Sequence, residues 1–160
     1  MRWLATLALA ACVHAPPEAA PVTTPDHILT ILAVSDLETA AVFYQQAFGW
    51  PLGVDVPVYK QLDLPGGRSL GLYVREGFAH NVGGLVPEVV APGAITGTEL
   101  YFRVADLDAA VARLEAAGAR VLSPRAPRDW GDEAAYFADP DGNALVVAVP
   151  LAPVAGARRR

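Results

Sequence analysis

The sequence predicts an α+β domain of two tandem βαβββ modules forming a curled mixed sheet around a cleft. Three observations carry that expectation. A strand–helix–strands order occurs twice along the chain. The two occurrences share a string, Val34-Ser35-Asp36-Leu37 in the first and Val104-Ala105-Asp106-Leu107 in the second. A glycine placed to end a helix then follows at nearly the same interval, Gly49 in the first copy and Gly118 in the second. A half standing alone would leave an apolar sheet face in water, so the two halves are expected to fold together.

The elements follow in order. Residues 28–34 are rich in Leu and β-branched residues, as in a buried strand. Ser35 with Glu38 fits a capping box, and Asp36 is a rival N-cap. Leu37, Ala41, Tyr44 and Phe48 share one face of the helix that follows. Val54–Leu64 and Leu70–Val74 read as strands separated by the turn Pro65-Gly66-Gly67. Residues 77–97 hold five glycines and two prolines and read as a loose linker. The second copy starts with a strand at Glu99–Val104. Asp106 then caps a helix with Leu107, Val111 and Leu114 on its apolar face. Val121-Leu122, Ala134–Phe137 and Ala144–Val149 are further strands, the last two joined by Asp139-Pro140-Asp141-Gly142-Asn143. In that turn Pro sets φ, Gly and Asn tolerate positive φ, and the Asp oxygens accept local N–H groups.

The chain has 160 residues, 53% hydrophobic and 18% charged, enough for one domain with a substantial core. Its net charge of -5 argues against a broad electrostatic grip on nucleic acid. A single cysteine excludes a disulfide framework and a cysteine-rich zinc site. No serine sits in a glycine-flanked elbow, and no phosphate-cradling glycine loop follows a strand.

The N-terminus reads as a separate device. Arg2 precedes a run, Trp3–Ala11, that is apolar but for Thr6, so residues 1–11 are expected to be an export signal peptide. Leu9-Ala10-Ala11-Cys12 resembles a bacterial lipobox, which implies lipidation of Cys12 and anchoring of an exported lipoprotein to a membrane of the cell envelope or periplasm. Residues 12–26, rich in Ala and Pro, read as the tether, residues 27–150 as the folded domain (modules at about 27–76 and 98–150), and residues 151–160 as a flexible tail.

Two segments carry a family resemblance. Val34–Trp50 (VSDLETAAVFYQQAFGW) resembles the first-module signature of the vicinal oxygen chelate superfamily, the glyoxalase, bleomycin-resistance and extradiol-dioxygenase-like proteins. Tyr136–Asn143 (YFADPDGN) resembles the second-module signature. The resemblance covers roughly residues 27–150. It implies a cleft, and in metal-using members His, Gln or Glu on the first strand and Glu on the last strand of each module. The corresponding positions here are Leu29, Glu99, Val146 and a residue within Gly71–Tyr73, so Glu99 alone supplies a carboxylate or imidazole. No metal cofactor is therefore expected. The alternative is a degraded divalent-metal site of His27 and Glu99, His27 lying two residues before Leu29 on the same strand face.

Period-two alternation puts Leu100, Phe102 and Val104 on one face of their strand and Glu99, Tyr101 and Arg103 on the other. With the implied fold, the second set faces the cleft. Arg103 is expected to pair an anionic group of a ligand, and Glu99 a cationic or hydroxyl group. Tyr73, Trp130 and Tyr136 are candidate aromatic walls. The expected function is metal-free binding of a small organic molecule, catalysis being left open. The alternatives are a metal-dependent lyase or dioxygenase of the same superfamily, and an envelope interaction module without a small ligand. A homodimer is expected from the resemblance.

Overall fold

The computed structural model describes residues 24–151. The signal peptide, Cys12 and all but the first residue of the tail lie outside the described residues. The last residues of the tether, 24–26, are exposed and have no regular secondary structure.

The first module runs β1 (Leu29–Val34), α1 (Leu37–Phe48), β2 (Leu52–Val56), β3 (Tyr59–Leu64) and β4 (Arg68–Val74). A short helix α2 (Arg75–Asn81) leads into the linker. The second runs β5 (Glu99–Arg103), α3 (Leu107–Ala116), β6 (Arg120–Pro127), β7 (Asp132–Ala138) and β8 (Ala144–Pro150). Each module makes its own mixed four-stranded sheet, in the orders β1-β4-β3-β2 and β5-β8-β7-β6. In both, the first strand pairs in parallel with the last, and the other pairings are antiparallel. The two tandem βαβββ modules expected from the repeat are therefore present.

Asp36 and Asp106 start the two long helices in the same way. Each sits in extended backbone and accepts from the N–H three residues on, Thr39 at 2.7 Å and Ala109 at 3.0 Å. Asp36 thus takes the cap, and Ser35 does other work. Its N–H donates to Asp141 Oδ1 at 2.8 Å and its hydroxyl accepts from Arg75 Nε at 3.2 Å. Gly49 closes α1 at φ 72°, its N–H returning to Gln45 O.

Three local features differ from the expectation. The segment Val54–Leu64 is not one extended run, because a turn at Pro57-Val58 folds β2 back on β3 with Val56 opposite Tyr59. β6 extends through Pro124 and Pro127, which its place at the sheet edge and its register shifts permit. The start of the presumed linker is α2, where Gly77 makes room for the Tyr73 ring.

α1 and α3 pack against one another and each against its own sheet. One apolar cluster spans both modules, joining Leu32, Leu62 and Leu72 of the first sheet to Phe137, Leu145 and Val147 of the second through Phe43, Tyr44 and Leu114. Buried polar groups reinforce the join. Tyr44 donates to Asp139 Oδ2 at 2.8 Å, and Arg75 pairs with Asp141 at 3.0 Å. Arg75 also donates to the carbonyls of Pro87 and Glu88, tying down the linker.

Candidate functional site

β5 is an edge strand, and its ladder with β8 fixes which groups remain free. Ala144 donates to Thr98 O and Val104 donates to Ala148 O, both at 3.0 Å. Bonds to β8 therefore fall on the even-numbered residues of this run. The backbone N–H and C=O of Glu99, Tyr101 and Arg103 point to the open edge. A groove of about 610 Å³ runs along that edge, within the range of small-molecule sites. Its other walls come from both modules, with His27, Thr30, Arg68 and Ser69 on one side and the ends of α1 and α3 on the other.

The groove floor is aromatic. Phe48 and Trp50 stack with centroids 4.3 Å apart and planes 8° from parallel. Phe102 meets Trp50 at 5.3 Å and 66°. All three are half-buried. Arg113 of α3 borders this floor, its Nε donating to Ala47 O at the end of α1 at 3.3 Å.

The odd-numbered β5 residues border the groove, and their side chains lie on the face of the second sheet turned away from the apolar cluster that Leu100, Phe102 and Val104 join. Tyr101 donates to Asp132 Oδ2 at 2.5 Å, Arg103 Nη2 binds the same oxygen at 3.0 Å, and Trp130 Nε1 donates to the Tyr101 oxygen at 3.2 Å. Asp132 is buried at 4% exposure and holds both β5 side chains. The Arg103 guanidinium, expected to take a ligand anion, is thus paired within the protein. Burial and the hydrogen bond to Asp132 hold the Tyr101 hydroxyl above its ordinary pKa.

Tyr136 stands in the same cross-strand row, opposite Val146, which is itself opposite Tyr101. The Arg128 guanidinium lies over the Tyr136 ring, 5.0 Å from its centroid. Burial first, then the charge of Glu99, raises the Tyr136 pKa. Glu99, Tyr101, Arg103, Trp130 and Tyr136 are thus gathered on the second module. Tyr73 is not with them. It lies on the first sheet, its ring 5.5 Å from Tyr59.

The register also tests the fit of a divalent metal. In the second module Val146 lies beside the residue two after Glu99. In the first, the residue two after Leu29 lies beside Gly71, so Gly71 is the counterpart of Val146. The four positions are then Leu29, Gly71, Glu99 and Val146. Val146 packs with Ala134, Ala148 and Tyr136, and the space above Gly71 is taken by the Tyr59 ring. Among the described residues no group of three or more His, Cys, Asp or Glu could hold a metal. One carboxylate among four positions does not fit the ion. His27 does border the groove that Glu99 borders, its Nε2 3.3 Å from Thr30 Oγ1.

Sequence reasoning missed Asp132, Arg113 and the aromatic floor. Extending the alternation of Tyr136 and Ala134 back by two residues would have placed Asp132 on the face turned away from the apolar cluster. The helical and strand patterns assign Phe48 and Phe102 to packing, and Arg113 has no distinguishing sequence signal.

Two repeated βαβββ modules flanking a seam groove define a two-module scaffold that serves many chemistries. The sequence profile of the Glyoxalase/Bleomycin resistance protein/Dioxygenase superfamily matches residues 24–147, and the chain belongs to that superfamily. Solved structures agree on the fold. A glyoxalase-related enzyme from Fulvimarina pelagi is 26% identical, with TM-score 0.69 over 82% of this chain and 91% of that one. A glyoxalase/bleomycin resistance protein/dioxygenase from Nocardioides is 23% identical, with TM-score 0.69 over 88% and 93%. Lactoylglutathione lyase from Agrobacterium tumefaciens is 23% identical, with TM-score 0.60 over 79% and 94%. A search of curated protein sequences finds no match.

Proposed function

We propose that this protein binds a small organic molecule, without a metal, in the groove beside β5. One observation carries the reading: at the register positions where metal-using relatives would place donors, Leu29, Gly71 and Val146 leave Glu99 alone. The groove's volume and aromatic floor support the same reading. The test is metal analysis of the purified protein together with a ligand screen read by tryptophan fluorescence, Trp50 being the reporter. The expected result is ligand-dependent quenching with substoichiometric metal. Tightly held stoichiometric zinc, nickel, manganese or iron, lost in Glu99→Ala, would establish instead the metal-dependent lyase or dioxygenase reading. The shared position of His27 and Glu99 at the groove is the observation that favours that second reading.

We further propose that Cys12 carries a lipid that tethers the domain to a membrane. Support comes from the Leu9-Ala10-Ala11-Cys12 sequence. Metabolic labelling with an alkyne fatty acid should mark the wild-type chain and not Cys12→Ser, and equal labelling of the two would reject the tether.

A further inference from the structure

We propose that the groove takes a planar aromatic anion, a carboxylate on a flat ring system, with Arg113 receiving the carboxylate, Arg68 adding positive charge from the facing wall, and Phe48, Trp50 and Phe102 receiving the ring. The inference rests on the small-molecule reading above and adds the chemical class of the ligand.

The charges around the groove point one way. Arg68, Arg103 and Arg113 border it, against the single carboxylate Glu99, on a chain whose net charge is -5. Arg103 is held by Asp132. Arg68 and Arg113 have no carboxylate within 4.0 Å among the described residues. Glu99 exerts its charge on Tyr136, on the face of the sheet turned away from the apolar cluster.

Arg113 is placed as a receptor. Its Nε donates to Ala47 O, so the guanidinium is pinned against the end of α1. No hydrogen bond occupies its two Nη groups among the described residues. A guanidinium fixed through Nε presents the Nη pair as a fork matched to two carboxylate oxygens. Beside it, the parallel Phe48–Trp50 stack, closed by Phe102 at a steep angle, offers a half-buried aromatic corner. A further flat ring gains dispersion and apolar burial there. A neutral aliphatic ligand would use neither feature, and a bare inorganic anion would leave the aromatic corner in water.

The experiment compares naphthalene-2-carboxylate with its neutral isostere naphthalene-2-methanol, by calorimetry and tryptophan fluorescence, on the intact protein. The acid should bind at least about tenfold tighter, and its affinity should fall as salt rises. Arg113→Met keeps the aliphatic stem and should cost the acid about tenfold or more while leaving the alcohol unchanged. Arg68→Met, at an exposed position, should weaken the acid in the same direction without threatening the fold. Trp50→Leu should weaken both ligands. Equal affinity for acid and alcohol, still sensitive to Trp50→Leu, would overturn the anion and leave small-molecule binding standing. Failure of both ligands to bind would overturn the aromatic class. Stoichiometric metal in the purified protein would overturn the reading beneath it.

Discussion

Tyr44 is the largest fully buried side chain among the described residues, and its hydroxyl donates to Asp139 Oδ2 at 2.8 Å. Asp139 also accepts from the backbone N–H groups of Asp141 and Asn143 and from Asn143 Nδ2. Tyr44→Phe removes one donor from a buried carboxylate and should cost about 1.5–3 kcal/mol, read from urea denaturation. Burial is the first cause holding the Asp139 carboxyl above its usual pKa of 3.8. The folded state therefore binds that proton more tightly than the unfolded chain, and this contribution to stability grows as pH falls. The stability of wild type relative to Asp139→Asn should rise as pH falls toward the usual carboxyl value of 3.8, in urea midpoints measured on the way down from neutral pH. A flat difference would contradict the assignment. The local half of this network was legible in the sequence, since Asp139 and Asn143 sit in a turn whose backbone demands them. The other half was not, because Tyr44 reaches Asp139 across 95 residues of chain and no periodicity reports such a contact.

At the level of elements, the paired helix starts were the most readable feature. An Asp before an apolar 3.6-residue pattern has few other uses, and Asp36 and Asp106 both proved to be caps. Asp36→Ala or Asp106→Ala should each cost about 0.5–2 kcal/mol by thermal or urea denaturation. Ser35→Ala should act differently, by loosening Arg75 without removing the cap. The hairpin at Pro57-Val58 was hidden because it lacks the glycine or asparagine that marks tight turns. β6 was shortened on sequence because prolines ordinarily exclude a strand interior, a rule relaxed at an edge. Alternation along β5 separates its two sets of side chains, yet it says nothing of the free backbone edge, which depends on β8 being the only strand paired with β5 among the described residues.

For the whole molecule, the connection between modules is the feature that decides stability. Arg75 and Asp141 are 8% and 5% exposed at their side chains, and the pair joins the end of the first module to the last turn of the second. Arg75→Met leaves Asp141 as a buried charge without its cation and should cost about 3–5 kcal/mol in chemical denaturation. A loss below about 1 kcal/mol would mean that water replaces the guanidinium there. The repeat in the sequence announced two halves but not how they meet. The groove was illegible for the same reason, since its floor joins Phe48 and Trp50 of one half to Phe102 of the other.

The segment between α2 and β5 is fastened at Pro87, Glu88, Ala94 and Thr96, and it is exposed from Val82 to Val86, ahead of those clasps. Arg75 grips the carbonyls of Pro87 and Glu88, Thr96 N–H bonds Gly142 O at 2.8 Å, and Leu85 between α2 and the first clasp is 76% exposed. Scission beside Leu85 would therefore cut the polypeptide without parting its pieces. A cleaved sample should elute from a sizing column as one particle and separate into two bands only in detergent. The same site suits relocation of the chain ends by circular permutation.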